Sequence, residues 1–204
     1  MDAILAAASD VFARKGFAGA SVRDIARQAN VGLSGLYYYF ASKNDVLFEI
    51  QRNTFTTLIN SLRERLETAD TPESRLRAVV TNHFEFFASH MNDHKVCVHE
   101  MNALDGELSE KALTLRRQYF DLVRGVLTDA GGVSGRRTNL AALFLFGSMN
   151  WCYTWYDSAK HKDITELGAT LAEIFLHGVY LLEDKGIQHD DTRSLPGMAR
   201  CESR

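Results

Sequence analysis

The sequence predicts an all-α protein, and three observations predict it. Proline occurs only at positions 72 and 196, so nearly the whole chain is free to coil. Apolar residues recur with the period of a helix along most of the chain, and no stretch alternates as a half-buried strand does. No Asn-Gly or Asp-Gly pair stands between alternating runs, the usual sign of a β-hairpin. With 204 residues, 46% hydrophobic and 24% charged, the chain can bury a sizeable core in one or two domains.

The first helix is expected over 2–15. Ile4, Leu5, Ala8, Val11 and Phe12 share a face, and Gly16 follows a basic last turn as a stop. Ser21 with Asp24 three residues on is a capping box for a second helix over 22–29, and Asn30 suits a left-handed turn. A short third helix follows over 33–40, then a long one over 43–68. Thr71 and Pro72 supply an N-cap and a first-turn proline for a helix running towards Met91. Further helices are expected over 93–103, 107–130, 135–158 and 163–185. "DAGGVSG" separates two of them. The polar tail, 187–204, is expected to be disordered.

Two short helices joined by a tight turn form a helix-turn-helix pattern. Ala26 is small where the pair must touch, and Val31, Leu36 and Phe40 fill the space between helices. At ~100° per residue, Leu36 and Phe40 point one way with Leu33 beside them, while Ser34 and Tyr38 lie opposite. Tyr37 and Tyr39 flank the packed stripe, able to bury rings and extend hydroxyls. Such a helix fits a major groove about 12 Å wide. Ser21, Arg23, Lys43 and the tyrosine hydroxyls suit phosphates; Ser34, Tyr38 and the open part of Leu33 suit base edges. The net charge is −3 overall, but residues 1–46 carry one net positive charge. A head so weakly basic needs a second copy to bind a duplex firmly. The expected domains are therefore a reading head over 1–46 and a helical body over 47–186.

"FARKGFAGASVRDIARQANVGLSGLYYYFASKNDVL" resembles the DNA-binding signature of the TetR/AcrR family of bacterial transcriptional regulators. The resemblance covers residues 4–50. It implies an all-helical homodimer, usually a repressor, released from a double-stranded DNA operator by a small ligand. By position it implies phosphate contacts from Ser21, Arg23, Tyr37, Tyr39 and Lys43, and base reading by Leu33, Ser34 and Tyr38. Gly35 departs from the pattern, standing where a hydroxyl residue or alanine is common. The basic extension that usually precedes the first helix is nearly absent.

The body offers a greasy segment, "LAALFLFGSMNWCYTWYDS", that needs cover on more than one side. The last helix shows a narrower stripe: Ile164, Leu167, Leu171, Ile174, Phe175, Gly178 and Leu182. Two helices from each of two subunits would form a four-helix interface about a two-fold axis. Phe84, Phe87, Tyr119, Asn150, Trp151 and Trp155 can serve as core, or as an apolar effector pocket with a few polar groups. "MNWCYTWY" resembles a TetR/AcrR subgroup with Asn-Trp-x-x-x-Trp-Tyr, several of whose members sense acyl-CoA thioesters. Thr154 replaces the basic residue often found between those tryptophans.

Other functions find little footing. No glycine-rich phosphate loop, GxSxG or HExxH is present, so an enzyme is not expected, nor a cofactor. His90, His94, His99 and Glu100 have no spacing that fixes them on one face, so a metal site is not assigned. Cys97, Cys152 and Cys201 are far apart, as suits a reducing compartment. The first residues are too polar for a secretory leader, and the longest uncharged run falls short of the ~20 residues of a membrane span. Together these predict a cytoplasmic protein. The alternative function is a helical interaction module that has lost DNA binding.

Overall fold

The computed structural model describes residues 1–131, 135–156 and 164–184, and every regular element among them is helical. The expected tail lies outside the described residues. The elements are α1 (Asp2–Gly19), α2 (Val22–Gln28), α3 (Leu33–Tyr39), α4 (Lys43–Glu67), α5 (Pro72–Ser89), α6 (Met91–His99), α7 (Gly106–Gly131), α8 (Arg136–Trp151) and α9 (Ile164–Asp184).

Local chemistry sets most of the boundaries. Gly16 breaks α1 with φ 71°, so its regular part ends where a glycine stop was expected, and one further turn follows. The Ser21–Asp24 and Thr71–Ser74 capping boxes both form, and Pro72 opens α5. Asn30 takes the left-handed conformation, φ 54°. The bend between α5 and α6 falls at His90, not after Met91 as the sequence suggested.

Two cores result. In the head, Ile4, Leu5, Val11 and Phe12 of α1 meet Ile25, Leu36 and Phe40, and the first turns of α4 close over them with Val46, Leu47 and Ile50. Val96 of α6, Leu104 of the connection that follows and Ala112 of α7 belong to the same cluster, so the body reaches into the head. The second core lies between α4, α5, α7, α8 and α9, around Leu58, Leu62, Leu76, Phe84, Phe87, Tyr119, Val123, Leu145 and Met149. Gly168 permits the tightest approach there: a Cβ on it would lie 3.4 Å from the Phe84 ring. A Cβ on Gly178 of α9 would meet nothing within 4 Å in this chain. Among the described residues no helix is long and apolar enough to cross a membrane.

Candidate nucleic-acid interface and effector site

The head presents α3 on its outside. Leu36 is its only buried residue, and Phe40 closes the end. Ser34, Tyr37, Tyr38 and Tyr39 are exposed, Tyr38 to 82%. The Tyr38 and Tyr39 rings meet edge-on at 5.0 Å, which steadies two of the three phenols without using their hydroxyls. Val31 is expected to fill the space between helices and Leu33 to sit beside the packed stripe with part of it open. Both are 37% exposed: α3 packs through Leu36 alone and leaves Leu33 in its first turn, and Val31 just before it, largely clear of the head.

The charged residues divide into structural and open ones. Lys15 pairs with Asp24 at 2.8 Å. That ammonium, then the Ser21 hydroxyl and amide, hold the Asp24 carboxyl well below the usual carboxylate range. The Ser21 hydroxyl thus takes part in the capping box while staying exposed. Arg23 and Arg27 are exposed. Lys43 is half-buried: its Nζ donates to the Phe17 and Ala20 carbonyls at 2.7 and 2.9 Å and sits 4.3 Å from the Phe17 ring centre. Two of its three protons therefore hold the end of α1, and one remains for a phosphate.

The body encloses a polar group that the sequence did not announce. His83 of α5 and His94 of α6 are each 3% exposed, with ring centres 5.3 Å apart at 86°. His83 Nδ1 lies 3.3 Å from the Tyr119 hydroxyl of α7. Phe84, Phe146, Phe87 and Tyr153 stand against the two imidazoles. The Nε2 atom of each histidine is buried and has no hydrogen-bond partner in the protein. Asn150 of α8 lies beside both, its side chain towards His83 and its main chain towards His94, yet short of bonding geometry to either Nε2. Burial, and then His94 alongside, push His83 down to about 3; burial pushes His94 down to about 4. Both rings are neutral near pH 7 and can donate or accept but carry no charge.

The structure thus gathers Phe84, Phe87 and Tyr119 with Asn150 at their margin, as the sequence grouped them. Trp151 and Trp155 are placed elsewhere. They were expected on one face of a helix continuing to residue 158. Instead α8 ends at Trp151, a 3-10 turn covers Cys152–Thr154, and the two side chains are 63% and 46% exposed on the outside of the body. His83 was missed, although one signal pointed to it: it takes a core position in the stripe Leu76, Val79, Val80, His83, Phe87. His90, His94, His99 and Glu100 diverge. His90 stacks on Phe86, His94 faces His83, His99 meets Tyr153, and Glu100 accepts from the Phe17 amide. No three His, Cys, Asp or Glu side chains among the described residues are grouped to hold a metal ion. Burial pushes the Cys97 thiol up to about 12, which removes its reactivity.

Residues 4–50 match the model of bacterial regulatory proteins of the tetR family, and residues 69–179, more than half the chain, match that of the tetracyclin repressor-like C-terminal domain. The chain belongs to the TetR family. A fatty acid metabolism regulator protein of Bacillus subtilis is 26% identical over 182 residues, covering 87% of this chain and 94% of that protein. A TetR-family transcriptional regulator from Bordetella parapertussis superposes with a TM-score of 0.81 at 28% identity, over 86% of this chain and 93% of the other. The Bacillus subtilis FadR structure in complex with stearoyl-CoA superposes with a TM-score of 0.72 at 26% identity, over 87% and 98% of the two chains. This TetR-family chain is a ligand-responsive, DNA-binding transcriptional regulator and not an enzyme.

Proposed function

We propose that this regulator is a homodimeric repressor, released from its operator when an apolar or acyl-CoA-type ligand enters the body. The observation that carries the reading is the convergence of His83, His94, Tyr119 and Asn150 from four helices inside a wall of aromatic rings. Few polar atoms within a mostly apolar surround suit a ligand that is itself largely apolar. The FadR relative solved with stearoyl-CoA supports the same class. On the DNA side, Ser21, Arg23, Tyr37, Tyr39 and Lys43 meet phosphates, and Leu33, Ser34 and Tyr38 meet base edges. Two copies joined through α8 and α9 set the two α3 helices about one DNA turn apart, ~34–36 Å. The effector acts by binding one spacing of the heads better than the other, and it shifts the equilibrium only by that difference. Such a protein works beside the chromosome, in the cytoplasm.

The test starts from a duplex selected out of random sequence by the full-length protein. Binding is then titrated at rising salt, and a log–log slope near zero contradicts phosphate-driven binding. Acyl-CoA thioesters of several chain lengths, and the matching free acids, are added to the complex. Release by the thioesters supports the effector class; release by neither rejects it. Tyr38→Ala combined with Lys43→Ala should lower operator affinity, whereas an interaction module would be indifferent to both changes.

A further inference from the structure

Tyr119 has one hydroxyl proton and is buried. The Asn82 side chain lies on its oxygen as a donor, while the same amide also donates to the Leu58 carbonyl at 3.1 Å. The phenol proton is therefore free to point at His83 Nδ1, 3.3 Å away. A neutral imidazole that accepts at Nδ1 carries its hydrogen on Nε2. That Nε2–H is the buried atom without a protein partner. The packing leaves this donor among aromatic rings with the Asn150 side chain beside it but not bonded to it, and buried donors are seldom left unmet.

We propose that His83 anchors the effector through an uncharged carbonyl oxygen, such as that of a thioester, which accepts the Nε2–H between the rings of Phe84, Phe146 and His94. This rests on the reading of the body as the effector site. An ionised carboxylate fits the same place badly: among the described residues no cation faces it there, and a buried charge without a counter-charge is strongly disfavoured. Selectivity for thioester over free acid thus resides in a neutral donor and not in a charged clamp. His94 closes the far side and keeps His83 from tilting away.

The experiment compares dodecanoyl-CoA with its S-dodecyl thioether, which keeps the chain and the CoA but lacks the carbonyl. Binding to the full-length protein is measured by calorimetry for wild type, His83→Phe and His83→Gln. Wild type should bind the thioester about ten- to a hundredfold more tightly than the thioether, the size of one well-placed buried hydrogen bond. His83→Phe should bring the thioester down to the thioether's level and leave the thioether unmoved. His83→Gln, which keeps a donor, should restore part of the difference. A carbon-13 carbonyl label should show a lowered infrared stretch in wild type and not in His83→Phe. Equal binding of thioester and thioether by wild type overturns the anchor while leaving an acyl-CoA effector standing. Failure of both to bind overturns the effector class and the anchor with it. Should His83→Phe not fold, the thioester–thioether comparison in wild type and in His83→Gln still decides.

Discussion

Gly35 shows how much a single residue on α3 can reveal. It stands exposed on the outer side of a seven-residue helix, and a Cβ there would meet nothing within 4 Å. Glycine inside a helix costs about 0.5–1 kcal/mol relative to alanine. Gly35→Ala should therefore raise the melting temperature by roughly 1–4 °C for a chain of this size. A lowered melting temperature would show that the open space is not open. Buried side chains make the opposite prediction for acid. His83 and His94 stay neutral in the fold down to about 3 and 4, whereas unfolded histidines take up protons near 6.5. The unfolded chain then binds more protons than the folded one as the pH falls below 6.5, so stability is intact above that pH and lost beneath it. Each ring contributes a slope of up to about 1.4 kcal/mol per pH unit between its two pKa values. Urea midpoints at pH 7.5, 6 and 5 should show the fall, and His83→Phe should roughly halve it by leaving only the His94 contribution; a flat wild-type profile would mean the rings are not held neutral.

At the scale of elements, α6 is the tie between body and head. Its Asn92 donates to Asp10 of α1 at 2.6 Å. Just beyond its C-terminus, Glu100 Oε1 accepts from the Phe17 amide at 2.8 Å, where α1 is kinked. The buried Gln51 of α4 donates to the Glu100 carbonyl at 3.1 Å. The same helix carries His94 into the polar group of the body, so a ligand that shifts α6 pulls on the head. Glu100→Ala should cost about 1–2 kcal/mol in urea titration, the loss of a partly buried bond, and Glu100→Gln clearly less because it keeps an acceptor. Equal loss in both would show that the carboxylate charge, not the bond, holds the joint. None of these ties was legible in the sequence, since Glu100 and Phe17 are 83 positions apart. What was legible is local: the capping boxes at Ser21 and Thr71, the Gly16 stop and the Asn30 turn each act within a few residues. Helix α8 was read too long for the complementary reason. No glycine or proline marks the change to a 3-10 turn after Trp151, where the Thr154 hydroxyl donates to the Trp151 carbonyl. Lys43 was read for its charge, yet two of its protons serve carbonyls more than twenty residues away.

For the whole molecule, the proposed pairing of two copies rests on the outer side of α8. Ala142, Leu145 and Met149 turn inward, while Leu140, Leu143, Phe144 and Trp151 lie along the opposite side, with Phe144 70% exposed. Ile174 of α9 adds a further open side chain. A run of large apolar groups like this marks a surface built for a partner. A second copy answers it most simply, because a two-fold axis brings the same patch from each side. The head argues for the same assembly, since Lys15 and most of Lys43 are used within the fold and Arg14, Arg23 and Arg27 give only a shallow electrostatic hold. In the proposed dimer, Phe144→Arg places two like charges about that axis in a water-poor seam. Light scattering should then report the mass of one chain instead of two, and Trp151 fluorescence should move to the red as the indole meets water. Helicity should persist, because Phe144 contributes little to either core. Operator affinity should fall by about a hundredfold or more, and the salt slope should drop to roughly half as one head's phosphate contacts are lost. A variant that stays dimeric with full affinity would put the interface on another face, and the spacing of the two heads would have to be derived again from there.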